Sequence, residues 1–218
     1  MKRLEGIELL IFDLDGTLVD SQYDLADAVN FALFRMAKPQ FPYGVILPML
    51  GGGVRSLISQ AFETSVPEEI DEALGFFNEF YEKNHAVKTD YYPGVRETLG
   101  KLKSKTMAVL SNKPHRFTEG IMAKLDHEGY FDLVQGAKPE IYALKPSPEG
   151  LRKILQKLNI AATKALMVGD STHDIMAAKS IGMRTCAVTY GYRSKEVLAG
   201  EEPDIMVDSF AELAEVIY

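Results

Sequence analysis

The stretch that most constrains this chain is Leu9-Leu10-Ile11-Phe12-Asp13-Leu14-Asp15-Gly16-Thr17-Leu18. An unbroken apolar run that stops at a polar turn suits a strand buried on both faces of a parallel sheet. The carboxyl end of that strand then carries two acids, a glycine and a threonine. In open α/β sheets, ligands bind at that edge. Side chains two apart on a strand point the same way, so Asp13 and Asp15 are expected to face one spot, with Leu14 turned to the other side. Two carboxylates aimed at one point repel, unless a cation, a shared proton or a substrate proton lies between them.

Three readings fit this stretch. One is an acidic loop after a core strand. A second is a calcium loop, which calls for oxygen ligands at alternating positions and a closing Glu; here the loop turns apolar at Leu18 and Val19. The third is a nucleophilic aspartate with a magnesium ion and an acid/base partner. That chemistry needs further parts later in the chain.

From Val19 the period changes from strand to helix. Leu25, Ala28, Val29, Ala32 and Leu33 share a helical face. After Pro39 and Pro42 break that pattern, Val54, Leu57, Ile58, Ala61 and Phe62 form a second stripe, following Gly51-Gly52-Gly53. A third runs from Pro67 to about His85. Residues 18–90 therefore read as mostly helix, with no strand expected among them. From Tyr91-Tyr92-Pro93-Gly94 onward, strands and helices alternate. Strands are expected at 106–110, 131–134, 165–168, 185–188 and 205–207. Helices are expected at 95–103, 116–125, 149–158, 174–180 and 210–216. Alternation of this kind implies a doubly wound parallel sheet with right-handed crossovers. The expected organisation is an α/β core of residues 1–17 and 91–218, with residues 18–90 inserted as a helical domain.

The expected strand tips carry the missing parts. Leu110 runs into Ser111-Asn112-Lys113, where a hydroxyl and backbone amides at a helix N-terminus form an anion site or a simple cap. Val168 runs into Gly169-Asp170, with Asp174 one helical turn on. Asp170 reads as a metal ligand, and Asp174 either joins it or caps the helix. Lys145 lies in Leu144-Lys145-Pro146-Ser147-Pro148, where Pro146 fixes the loop and Pro148 opens the next helix.

These four segments occur in the order and spacing of the haloacid dehalogenase-like hydrolase superfamily, and the chain resembles that family over essentially its whole length. The resemblance implies a Rossmann-like core with an α-helical cap at 18–90. Within the family the chain is most similar to the phosphoglycolate phosphatases, on Gly51-Gly52-Gly53-Val54-Arg55, Ser111-Asn112-Lys113 and Tyr190-Gly191-Tyr192. Ser111 stands where that group more often has threonine. A second Lys-Pro pair, Lys138-Pro139, precedes Lys145-Pro146; Lys145 fits the family pattern because Pro-x-Pro into a helix follows it.

The resemblance implies a magnesium-dependent phosphatase. Asp13 is the nucleophile that forms an aspartyl-phosphate, and Asp15 is the acid and then the base. Ser111 and Lys145 bind the phosphoryl oxygens, with Thr17 and Asn112 also at the substrate. Asp13, Asp170 and the backbone carbonyl of Asp15 hold the metal, and Asp174 orients Lys145 or metal-bound water. Beside a metal and Lys145, Asp13 is expected to have a depressed pKa. The dehalogenases that name the family lack the second acid, because a halide leaving group needs no proton. Arg55 is expected to pair with a substrate carboxylate. The substrate is expected to be a small phosphorylated metabolite, foremost 2-phosphoglycolate. A sugar phosphomutase or a pyrophosphatase of the same fold is the alternative.

Composition narrows the rest. The formal net charge of −7 argues against nucleic acid and anionic membranes as partners. The single cysteine excludes an intrachain disulfide and a multi-cysteine metal site. No apolar run is long enough to span a bilayer, and the N-terminus reaches a strand too soon for a signal peptide. A cytoplasmic monomer or homodimer is expected.

Overall fold

The computed structural model describes residues 3–217. The chain forms two compact units. One contains the chain up to Val19 and from Tyr91 onward, and the other is Asp20–Asp90.

Strand β1 (Leu9–Phe12) is buried along its whole length, as its unbroken apolar sequence requires. The chain then crosses between the units in β2 (Val19–Asp20). The second unit contains α1 (Gln22–Arg35), α2 (Tyr43–Ile46), α3 (Val54–Ala61) and α4 (Pro67–Asn84). The chain returns in β3 (Asp90–Tyr91), and β2 and β3 pair as a two-stranded sheet. Sequence periodicity missed these strands, since two residues are too few to show alternation.

Alternation follows: α5 (Val95–Lys101), β4 (Thr106–Pro114), α6 (His115–Leu125), β5 (Leu133–Ala137), α7 (Glu149–Leu158), β6 (Ala165–Gly169), α8 (Thr172–Lys179), β7 (Arg184–Val188), α9 (Lys195–Gly200), β8 (Ile205–Val207) and α10 (Leu213–Val216). The six-stranded sheet has the order β5-β4-β1-β6-β7-β8. Every pairing in it is parallel. The chain winds outward from β1 through β4 to β5, then re-enters on the other side of β1 at β6. The winding therefore reverses at β1, and the carboxyl ends of β4, β1 and β6 lie side by side. A reversal of this kind opens a crevice at the strand ends.

One expectation about this edge is corrected. Strand β4 does not stop at Leu110. It runs to Pro114, with its register against β5 shifting between Leu110 and Pro114, and α6 begins only at His115. Ser111 and Asn112 are therefore strand residues and not the start of a helix. The turn to polar side chains marks where the apolar core stops, while backbone pairing continues past it. Helix α9 also went unforeseen.

In the second unit, α1 packs against α4. Phe31 and Phe80 meet with ring centroids 5.1 Å apart. The buried Asp24, in the first turn of α1, accepts hydrogen bonds from the Lys88 amide (3.0 Å), the Thr89 amide (2.8 Å) and the Thr89 hydroxyl (2.7 Å). That carboxylate ties the entrance of α1 to the chain just before β3.

Candidate active site

At the tip of β1 the pleat ends with Phe12, so Asp13 and Asp15 lie on the following loop and not on a strand. Strand alternation does not govern them, and a different lysine meets each. The Asp13 amide still donates to Val168 O on β6 (2.9 Å). Its Oδ1 accepts from the Leu14 amide (2.7 Å) and from Lys145 Nζ (3.0 Å). Both Asp15 oxygens accept from Lys113 Nζ, at 2.8 and 2.9 Å.

The Lys145 side chain is 3% exposed. Its ammonium donates to Asp13, to Asp174 Oδ1 (2.6 Å) and to the carbonyl of Leu110 (2.8 Å). Asn112 holds the backbone of this lysine. Its amide nitrogen donates to Lys145 O (2.8 Å), and its amide oxygen accepts from Lys145 N (3.0 Å). The Asn112 side chain thus acts on the lysine loop, where the sequence had suggested contact with substrate. Lys145 and not Lys138 enters this cluster. Ser111 is buried on β4, and its Oγ accepts from the Lys113 amide (3.2 Å).

At the tip of β6, Asp170 is held from two sides. Thr17 Oγ1 donates to its Oδ1 (3.1 Å), and the Tyr192 amide donates to its Oδ2 (2.8 Å). Thr17 is fully buried, so its hydroxyl positions Asp170. Gly191 is required for this grip: a Cβ there would stand 2.4 Å from Asp170 Cβ and from Gly16 O. Tyr190 donates its hydroxyl to Thr17 O (2.7 Å). Asp174 serves two ends at once. Its Oδ1 meets Lys145, while its Oδ2 accepts from the Ser171 amide and hydroxyl in a capping box at the start of α8. Capping and orienting the lysine had been alternatives for this residue; the geometry combines them.

Burial dominates the electrostatics. It pushes the Asp13 carboxyl up to about 7, against the opposing pull of Lys145 and with help from Asp174. It pushes Asp170 up to about 8, with Asp13 and Asp174 adding repulsion. With Lys145 as the counter-charge, desolvation outweighs attraction; the depression expected from the sequence belongs to the metal-bound site. For Lys145, burial favours the neutral amine, but Asp13 and Asp174 outweigh it and hold the ammonium charged. Asp13, Asp170 and Asp174 each offer a carboxylate oxygen within 4.8 Å of the others. Oxygen-only donors, crowded and desolvated, fit a hard divalent cation.

A sequence model described as haloacid dehalogenase-like hydrolase matches residues 10–188. The chain belongs to that family. A phosphoglycolate phosphatase of Photobacterium profundum is 33% identical over 228 aligned residues, covering 100% of this chain and 98% of its own. One of Vibrio vulnificus is 37% identical, covering 98% and 97%. A crystal structure of a predicted phosphoglycolate phosphatase from Haemophilus somnus superposes with a TM-score of 0.87 at 30% identity, covering 98% of this chain and 99% of that one. The chain is a phosphatase of the haloacid dehalogenase-like family.

Two groups of residues had no assigned role in the sequence. Tyr190-Gly191-Tyr192 had been noted only as a likeness, and it grips Asp170 from a distant loop. Lys113 is a strand residue of β4, which the sequence ended at Leu110, and its side chain meets Asp15. Arg55 belongs to the Asp20–Asp90 unit. There its Nη1 pairs with Asp71 at 2.6 Å, with side chains 56% and 63% exposed. No helix among the described residues is long and apolar enough to cross a membrane.

Proposed function

We propose that this phosphatase hydrolyses a small phosphate monoester, 2-phosphoglycolate, through an aspartyl-phosphate on Asp13, with magnesium as its cation. The observation that carries the mechanism is the setting of Asp13: a partly buried carboxylate beside the buried ammonium of Lys145 and the buried carboxylate of Asp170. The relatives named as phosphoglycolate phosphatases support the substrate.

Asp13 and Asp170, with the backbone carbonyl of Asp15, would hold the cation. When bound, it neutralises phosphoryl charge that would otherwise repel an anionic nucleophile. Asp13 attacks phosphorus, so that its oxygen–phosphorus bond forms as the ester bond breaks. Asp15 gives a proton to the leaving alkoxide. It then takes one from the water that cleaves the aspartyl-phosphate, releasing phosphate. Lys145, fixed by Asp174 and Asn112, meets the phosphoryl oxygens as charge spreads over them. Ser111 supplies a hydroxyl to the same oxygens. The Asp20–Asp90 unit acts as the cap that excludes water during the reaction.

Phosphate release from 2-phosphoglycolate, sugar phosphates, nucleotides and pyrophosphate tests the reading. Each is measured with magnesium, with EDTA, and with the Asp13→Asn variant. The expected result is magnesium-dependent release from phosphoglycolate well above the others and none from the variant. Full activity in EDTA or in Asp13→Asn overturns the mechanism. Preference for another ester overturns the substrate alone.

A further inference from the structure

Two lysines are buried in the site, and the mechanism uses only one. Lys145 meets the nucleophile side: Asp13 and Asp174. The Lys113 side chain, 5% exposed, meets the leaving-group side, where its Nζ bridges both oxygens of Asp15. A buried ammonium loses hydration, and a paired carboxylate restores only part of it. Placing one there therefore needs a reason beyond stability. While Lys113 bridges both oxygens, its ammonium stands beside the atoms that serve the leaving group. An anion on the leaving group would meet that ammonium there.

We infer that Lys113 is a specificity-determining residue that binds a carboxylate carried by the leaving group. In 2-phosphoglycolate the carboxylate is one methylene from the ester oxygen, the atom that Asp15 protonates. An ammonium gripping Asp15 is therefore next to the place that carboxylate occupies. Selection for an anionic leaving group then comes from the core sheet edge, on the strand that also carries Ser111. This inference rests on the substrate reading above.

The test compares 2-phosphoglycolate with ethyl phosphate, in which a methyl group replaces the carboxylate. The readout is the ratio of their kcat/KM values in the wild type, Lys113→Met, Lys113→Arg and Arg55→Ala. A charge-assisted hydrogen bond predicts that Lys113→Met lowers the ratio about ten- to a hundredfold, mostly through KM for phosphoglycolate. Lys113→Arg restores part of the ratio, and Arg55→Ala reads the competing expectation that Arg55 holds the carboxylate. Circular dichroism checks folding; should Lys113→Met not fold, Lys113→Gln is read in its place. Equal losses on both esters would reduce Lys113 to a positioning residue for Asp15 and overturn the inference. So would a ratio lost in Arg55→Ala and kept in Lys113→Met. A wild type with no preference for phosphoglycolate overturns the substrate reading itself, and the inference with it; that result needs no variant, so the two failures are distinct.

Discussion

At Lys145 the burial of one residue links stability and chemistry. Its ammonium meets Asp13, Asp174 and the Leu110 carbonyl with almost no access to water. Removing it leaves buried carboxylates without their cation, an arrangement that costs about 3–5 kcal/mol. Lys145→Met is expected to lose roughly that much in urea denaturation and to show no measurable phosphate release. Retained activity would remove Lys145 from the phosphoryl site. Glycine matters at two points for steric reasons. A Cβ at Gly16 would stand 2.2 Å from Asp170 Oδ2, and its φ is +82°. A Cβ at Gly169 would stand 2.4 Å from Asp174 Cγ. Both let carboxylates approach the backbone closely, as the sequence suggested for Gly169.

At the scale of elements, helix ends and strand ends supply the working parts. Helix α8 starts with a capping box in which Asp174 also holds Lys145, so one residue fixes both the helix start and the lysine. Strand β4 continues through Ser111 and Lys113, and the Lys113 amide donates to Ser111 Oγ (3.2 Å). In the helical unit, Asp24 plays the corresponding structural part through its bonds to Lys88 and Thr89. Asp24→Ala would leave the buried Thr89 donors unmatched, at about 1–3 kcal/mol for a lost bond of this kind. Hydrogen exchange is expected to accelerate at the amides of Lys88 and Thr89. Unchanged protection at those amides would show that the carboxylate does not secure this segment.

For the whole molecule, the raised Asp13 and Asp170 pKa values set a pH dependence. A carboxyl whose folded pKa lies above its unfolded value makes the folded state bind protons more tightly. Without metal, that contribution is fully present below about 3.8 and is lost as pH rises through about 7 for Asp13 and about 8 for Asp170. Ionising both acids leaves like charges buried together, and a divalent cation relieves them. The Tm in EDTA is therefore expected to fall between pH 6 and 8.5, and the rise in Tm on adding magnesium to grow over the same range. A magnesium shift that stays constant or shrinks with pH would mean that these carboxylates are not its ligands.

The sequence alone determined the α/β class, the order of the main elements and the acids at the ends of β1 and β6. Those features follow from local periodicity and from the abrupt change of apolar runs into polar turns, both readable along a single chain. It also marked Lys145 through the prolines around it. Tertiary structure alone decided how the charges pair. Lys113 finds Asp15 across ninety-eight positions of sequence, and Tyr192 reaches Asp170 from a separate loop. The desolvation that raises the Asp13 pKa likewise depends on the elements packed around that residue. Hydrogen-bond geometry and desolvation are set by what folding brings together, and a linear pattern records neither.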